Sequence, residues 1–189
     1  MLREQGVVFP PVNARAMVAT RARIVLFSDD TEDGMTVYRP KTGRWYVYIN
    51  RRRLNGRRAN FTWAHEAGHI YLGHGWMYDC NKLTDREQWI LDREANMFAA
   101  ELLMPWHWVE KFVPVPCGPE ALEEAARLFG VSREAVIHRL EELGIQDQRT
   151  TVATMREAAA EQRRRRLERT HLHPQLVLNW ALAQRELRA

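Results

Sequence analysis

The spacing of hydrophobic residues along the chain first follows the period of a β-strand. Between Ile24 and Asn50, runs of aromatic and β-branched residues alternate with turn residues. The runs are IVLF, MTVYRP and RWYVYIN, and the turns between them are DDTEDG and KTG. This pattern predicts three short strands, which we expect to form a small antiparallel sheet.

After the strands the spacing becomes helical and predicts two long helices. The first carries small and apolar residues at helical intervals, and Gly73 and Gly75 end it. The second begins at Thr84, which stands before Glu87 in the spacing of a capping box, and Pro105 ends it.

A helix-turn-helix pattern comes after a proline-rich linker. The segment 119–144, PEALEEAARLFGVSREAVIHRLEELG, contains two helix-forming stretches around Gly130, and Ser132 is a good N-cap for the second stretch. From Thr151 onward the chain is helix-forming and highly charged, with a break at 173–174 before the apolar segment LVLNWALA.

These elements predict an α+β protein with three parts. Residues 1–113 hold the sheet and the two long helices, residues 114–149 form a helix-turn-helix-like helical module, and residues 150–189 form a charged helical C-terminal tail. With 189 residues, of which 46% are hydrophobic and 28% charged, the chain is long and apolar enough to bury a substantial core.

Charge and cysteine content narrow the possible environments. The net charge is +4, and arginines cluster at 51–58 and 163–166, where they suit either an acidic partner such as nucleic acid or a solvated surface. No apolar run reaches the ~18 residues of a membrane span, and residues 1–13 lack the apolar region of a secretory signal. We therefore expect a cytoplasmic protein without a membrane partner. Cys80 and Cys117 fit neither a disulfide framework nor a metal clip.

The first predicted helix carries the clearest chemical pattern, the HExxH of residues 65–69. Residues four apart lie on one face of a helix, so the imidazoles of His65 and His69 can share one metal ion. Glu66 is rotated away from the ligand direction but stays within reach of a water molecule at the ion, which is the position of a general base.

A third ligand is predicted on the second helix. Glu94 shares the helical spacing of the apolar residues Leu91 and Phe98, so we expect it to face the core, where binding a cation would remove the cost of an unpaired charge. Asp92 and Glu101 are the alternatives to Glu94. His74 lies beyond the chelating face and is expected to support the ligands from outside.

Two histidines and a carboxylate with one open position are typical of catalytic zinc. The sequence therefore predicts a Zn²⁺ cofactor, with Mn²⁺ possible in its place, and peptide hydrolysis in which Glu66 moves the proton. Tyr71, Tyr78 and His107 are candidates for stabilising the oxyanion. The strand RWYVYIN is expected to offer an edge to which an extended peptide substrate adds.

The runs RANFTWAHEAGHIYLGH and EANMFAAELLMP together resemble the ImmA/IrrE family of metallo-endopeptidases. The resemblance covers roughly residues 44–105, and the helix-turn-helix-like segment is also similar to the corresponding C-terminal region of that family. It implies a zincin-like fold, zinc bound by His65, His69 and Glu94, and Glu66 as catalytic base. It further implies a protein substrate, a DNA-binding repressor of the helix-turn-helix class, whose cleavage releases stress-response or mobile-element genes.

Two other functions stay open at this point. The helix-turn-helix pattern suits a DNA-binding transcriptional regulator, although glutamates on its second helix would face the anionic duplex. A toxin or interaction protein with a non-catalytic metal site is the other alternative. The sequence gives no indication of the oligomeric state.

Overall fold

A small sheet and a series of helices build a mixed α+β fold. The computed structural model describes residues 9–28, 32–54, 56–77 and 82–171. The predicted break at 173–174 and the apolar segment after it lie outside the described residues. Among the described residues, no helix has both the length and the apolar character needed to cross a lipid bilayer.

The sheet has three strands in the order β1-β3-β2, formed by β1 (Ala22–Phe27), β2 (Gly34–Arg39) and β3 (Arg44–Asn50). Strand β2 pairs antiparallel with β3 through the predicted turn, whereas β1 pairs parallel with β3. The prediction of an antiparallel sheet was therefore wrong for β1. Strand patterns specify the alternation of side chains and not the neighbouring strand, and β2, although it is next to β1 in the chain, lies on the far side of β3.

Strand β3 is the central strand, paired along both of its edges, and its Val47 and Ile49 side chains are completely buried. The expectation that RWYVYIN offers an edge to a peptide was therefore wrong, because its backbone groups are already used by two neighbours. Strand β2 has β3 on one side, and no strand within the described ranges pairs with its other edge.

The helices follow the predicted order, with additions. A short helix, α1 (Ala14–Ala19), precedes the sheet and was not predicted; its Asn13 cap accepts a hydrogen bond from the Ala16 amide. The remaining helices are α2 (Arg57–Tyr71), α3 (His74–Met77), α4 (Asp85–Leu103), α5 (Trp106–Phe112), α6 (Pro119–Phe129), α7 (Arg133–Glu142) and α8 (Gln148–His171), and Arg51–Arg53 form a 3-10 turn.

Local signals account for the main helix boundaries. Both hydrogen bonds of the predicted capping box are present between Thr84 and Glu87 at the start of α4. Gly130 takes a left-handed conformation that ends α6, and the Ser132 hydroxyl accepts from the Ala135 amide to begin α7. The two helices predicted around Gly130 are thus confirmed.

Helices α2 and α4 lie in close contact, and this contact positions the site. A Cβ atom on Gly68 would lie 3.0 Å from the Cα atom of Ala95, so only a glycine allows the two backbones to approach this far. Buried residues of α1, α2, α4, α6 and α7 belong to one hydrophobic cluster, in which Phe129 and Leu103 are fully buried. The division at residues 113 and 149 stays a prediction.

Candidate metal centre and catalytic cleft

His65 and His69 bring two ring nitrogens to one point on the surface of α2. Their Nε2 atoms lie 3.1 Å apart. Two zinc–nitrogen bonds of about 2.0–2.1 Å at a tetrahedral angle would separate the nitrogens by roughly 3.3–3.4 Å, close to the distance found. The predicted imidazole pair therefore fits a single divalent cation.

The opposite nitrogen of each ring is occupied by another residue. His65 Nδ1 lies 2.9 Å from Asn96 Oδ1, an atom that can only accept, so the His65 proton is assigned to Nδ1. His69 Nδ1 lies 2.9 Å from His74 Nδ1, and His74 Nε2 lies 3.1 Å from Glu94 Oε2. If His74 donates to Glu94 and accepts from His69, both Nε2 lone pairs point at the proposed ion.

The protonation of His69 also suits metal binding. Burial, with smaller contributions from the neighbouring His65 and His74 rings, lowers the pKa of His69 from 6.5 to about 3. Its imidazole is therefore neutral at physiological pH, which is the form that binds metal ions.

Two carboxylates of α4 lie at this histidine cluster. Asp92 Oδ1 is 3.5 Å from His69 Nε2, and the ligand atoms of His65, His69 and Asp92 all lie within 4.8 Å of one another. These three residues form a group able to hold a metal ion. Glu94 instead contacts His74, so its role as third ligand stays a prediction, and Glu101 pairs with Arg139 of α7.

The predicted orientation of α4 was wrong in its phase. Glu94 keeps 54% of its side-chain surface exposed, and Ile90 and Met97 are exposed rather than buried. The buried face consists of small residues together with leucines, because α2 approaches too closely for larger side chains. These residues are Leu91, Ala95, Ala99, Ala100, Leu102 and Leu103.

Glu66 is buried, with 3% of its surface exposed, and it faces the start of β2. Burial raises the pKa of Glu66 from 4.5 to about 7, a hydrogen bond from Thr36 acts in the opposite direction, and the nearby charges of Asp92 and Glu32 raise it further. A carboxyl group with such a pKa can accept and release a proton near neutral pH.

A cleft of about 960 Å³ opens beside Glu66 and the His65 ring. Helices α2 and α4 form one side, the start of β2 contributes Gly34, and α7 forms a further wall through Ala135 and His138. The second helix of the helix-turn-helix pattern thus faces the predicted site.

The proposed oxyanion donors differ in position. The Tyr71 ring stacks on Phe98 with centroids 5.7 Å apart, and the His107 ring contacts Trp106 and Trp108. Tyr78 lies outside the described residues.

Sequence reasoning missed three residues that contact the site, namely Asn96, Gly34 and Thr36. Asn96 contacts the His65 ring, and the other two lie against the Glu66 carboxyl. Only the position of Asn96 beside the predicted α4 carboxylates offered any signal.

Comparison with known proteins gives the class and then the family. Residues 19–141 match the Peptidase M78 family, described as the IrrE N-terminal-like domain. Because this match spans more than half of the chain, the protein belongs to that family, as the ImmA/IrrE resemblance predicted. The family is one of metallopeptidases, in keeping with the His65, His69 and Asp92 group.

Two further comparisons add little detail. No curated protein sequence matches the chain. Among solved structures, the chain is similar to a Mycobacterium tuberculosis transcriptional regulator, with a TM-score of 0.47 and 18% identity over 74% of this chain. This chain spans about half, 52%, of the length of that protein.

Proposed function

We propose that this protein is a zinc-dependent endopeptidase with a zincin-like catalytic domain. The observation that carries the proposal is the buried Glu66 carboxyl, which lies in a cleft next to two imidazoles whose Nε2 atoms converge. His65, His69 and a carboxylate of α4, for which we keep Glu94, would hold the ion. Membership of a metallopeptidase family supports this assignment.

Glu66 carries the proton in the proposed reaction. When bound, zinc supplies Lewis acidity that polarises a peptide carbonyl and makes water reactive near neutral pH. Glu66 accepts a proton from the attacking water as the water oxygen bonds to the carbonyl carbon, and then delivers that proton to the amine nitrogen as the C–N bond breaks. The pKa of about 7 suits both transfers.

The proposed substrate is a DNA-binding repressor of the helix-turn-helix class, cleaved in the cytoplasm to release stress-response or mobile-element genes. The family resemblance suggests this substrate. The edge of β2 adds support, because its Gly34 lines the cleft and an extended peptide could pair with unpaired strand groups beside Glu66.

The direct test uses the purified full chain, loaded with zinc or manganese, and the helix-turn-helix repressor encoded next to its gene. Cleavage followed by gel electrophoresis and mass spectrometry is expected with the wild type and not with Glu66→Gln, which cannot accept the proton. Glu157→Gln, the same change at an exposed site on α8, is the matched control. An intact repressor with every metal tested would reject the proposal.

The geometry of α7 argues against a DNA-reading role for this helix. Val136, Arg139 and Leu140 are buried, and His138 and Glu142 line the cleft. Binding to duplex DNA that weakens steeply with added salt would instead favour the regulator.

A further inference from the structure

Strand β2 reaches the Glu66 carboxyl group through two residues, Gly34 and Thr36, which lie on the same face of the strand. We propose that these two residues position the Glu66 carboxylate for proton transfer. The proposal rests on the proposed function of Glu66 as the base. Neither residue touches the ion site itself; both would act through Glu66.

Thr36 fixes one carboxylate oxygen. Its hydroxyl donates to Glu66 Oε2 at 2.6 Å and lies 3.4 Å from the backbone carbonyl oxygen of Glu66. Hydroxyl-to-carboxylate hydrogen bonds of this length are among the stronger ones in proteins. The bond therefore restricts rotation of the carboxylate about its last torsion angle, which is otherwise a soft one.

Gly34 leaves the space that the other oxygen occupies. A Cβ atom at this position would lie 2.6 Å from Glu66 Oε1 and 3.1 Å from Glu66 Cδ. Gly34 does not have a positive φ, so its backbone conformation does not require glycine. Glycine inside a strand is unfavourable and often marks a close approach by another group. Here the approaching group is the Glu66 carboxyl.

The consequence of filling this space falls on Glu66 rather than on the fold. The atom that a new methyl group would meet is the end of a flexible side chain, which can rotate away. A general base must stay within hydrogen-bond reach of the proton that it removes. A misplacement of about 1 Å can lower a rate by roughly 100-fold.

The test compares Gly34→Ala, Thr36→Val and Thr36→Ser with the wild type, using the zinc-loaded full chain and the repressor substrate. Gly118→Ala and Thr42→Val are matched controls, because a Cβ on Gly118 has room and Thr42 lies in the exposed turn before β3. We expect kcat to fall by roughly 100-fold for Gly34→Ala and by about 10-fold or more for Thr36→Val. Thr36→Ser keeps the hydroxyl and should restore most of the rate.

KM and zinc affinity should stay close to the wild-type values in all these variants, since the imidazoles and cleft walls are unchanged. A crystal structure of metal-free Gly34→Ala gives a readout without activity: the Glu66 carboxylate should move, while His65 and His69 stay in place. Wild-type kcat in Gly34→Ala, an equal loss in Thr36→Ser and Thr36→Val, or an unmoved Glu66 would overturn the proposal. If the wild type cleaves nothing, the proposed function fails, and the crystal comparison still tests the positioning of Glu66.

Discussion

His65 and His69 face each other with their Nε2 atoms 3.1 Å apart, while Asn96 and His74 occupy the Nδ1 atoms behind them. The arrangement fixes the direction of both rings from the outside. Metal affinity should therefore depend on residues that never touch the ion.

Replacement of Asn96 by leucine should weaken zinc binding. His65 Nδ1 would lose its acceptor, and the ring could rotate away from the ion, so we expect affinity to fall by about 10–100-fold. Asn96→Asp keeps an acceptor oxygen and should retain the affinity. Competition with a zinc-chelating dye measures both variants, and equal affinity in Asn96→Leu and the wild type would contradict the role given to Asn96.

Neutralising the two α4 carboxylates one at a time should identify the third ligand. Glu94 is already drawn towards the cluster by the buried His74 ring, so Glu94→Gln is expected to lower zinc affinity by more than ~100-fold, beyond the range of an outer partner. Asp92→Asn makes the same charge change two positions earlier on the helix and should have the smaller effect. The reverse order, measured by calorimetry, would make Asp92 the ligand.

The Glu66 carboxyl should make the stability of the metal-free protein depend on pH. Its folded pKa of about 7 exceeds the ordinary 4.5, so between these values the folded state keeps a proton that the unfolded chain releases. Folding therefore loses free energy as pH rises through this window, on the order of 3 kcal/mol in total.

Glu66→Gln isolates this contribution, because the variant has no proton to lose at residue 66. The lowered pKa of His69 acts in the opposite direction, raising stability as pH rises between about 3 and 6.5, and it is present in both proteins. Urea unfolding below pH 4.5 and above pH 7 should show the wild type losing stability relative to Glu66→Gln. A constant difference across that range would contradict the pKa assigned to Glu66.

Arg139 should be the main anchor of α7. Its side chain, 4% exposed, donates to the Met104 carbonyl oxygen at 3.0 Å and pairs with Glu101 and Glu142. Arg139→Leu would leave these acceptors without their donor and should cost about 2–4 kcal/mol of unfolding free energy. Arg133→Leu, at an exposed position of the same helix, should change stability by less than ~0.5 kcal/mol. Denaturant titration compares them.

Several features followed from the sequence because their causes are local. Positions four apart share a helix face in any setting, so the pairing of His65 with His69 needs no knowledge of the fold. The Thr84 capping box and the turn at Gly130 likewise depend on groups a few residues apart.

Other features depend on contacts between distant parts of the chain. The outer strand of a sheet, the buried face of α4 and the wall that α7 gives to the cleft have no local signature. The residue pairs Asn96 with His65, and Thr36 with Glu66, are separated by about thirty positions. Gly34 read as a turn glycine, and only the approach of Glu66 shows its use.

The sequence alone thus determined the helix that presents two imidazoles and a carboxyl group, since hydrogen bonds within one turn set that geometry. Tertiary packing decided which groups surround them, because side chains from β2, α4 and α7 meet there only after the apolar faces of these elements are buried together.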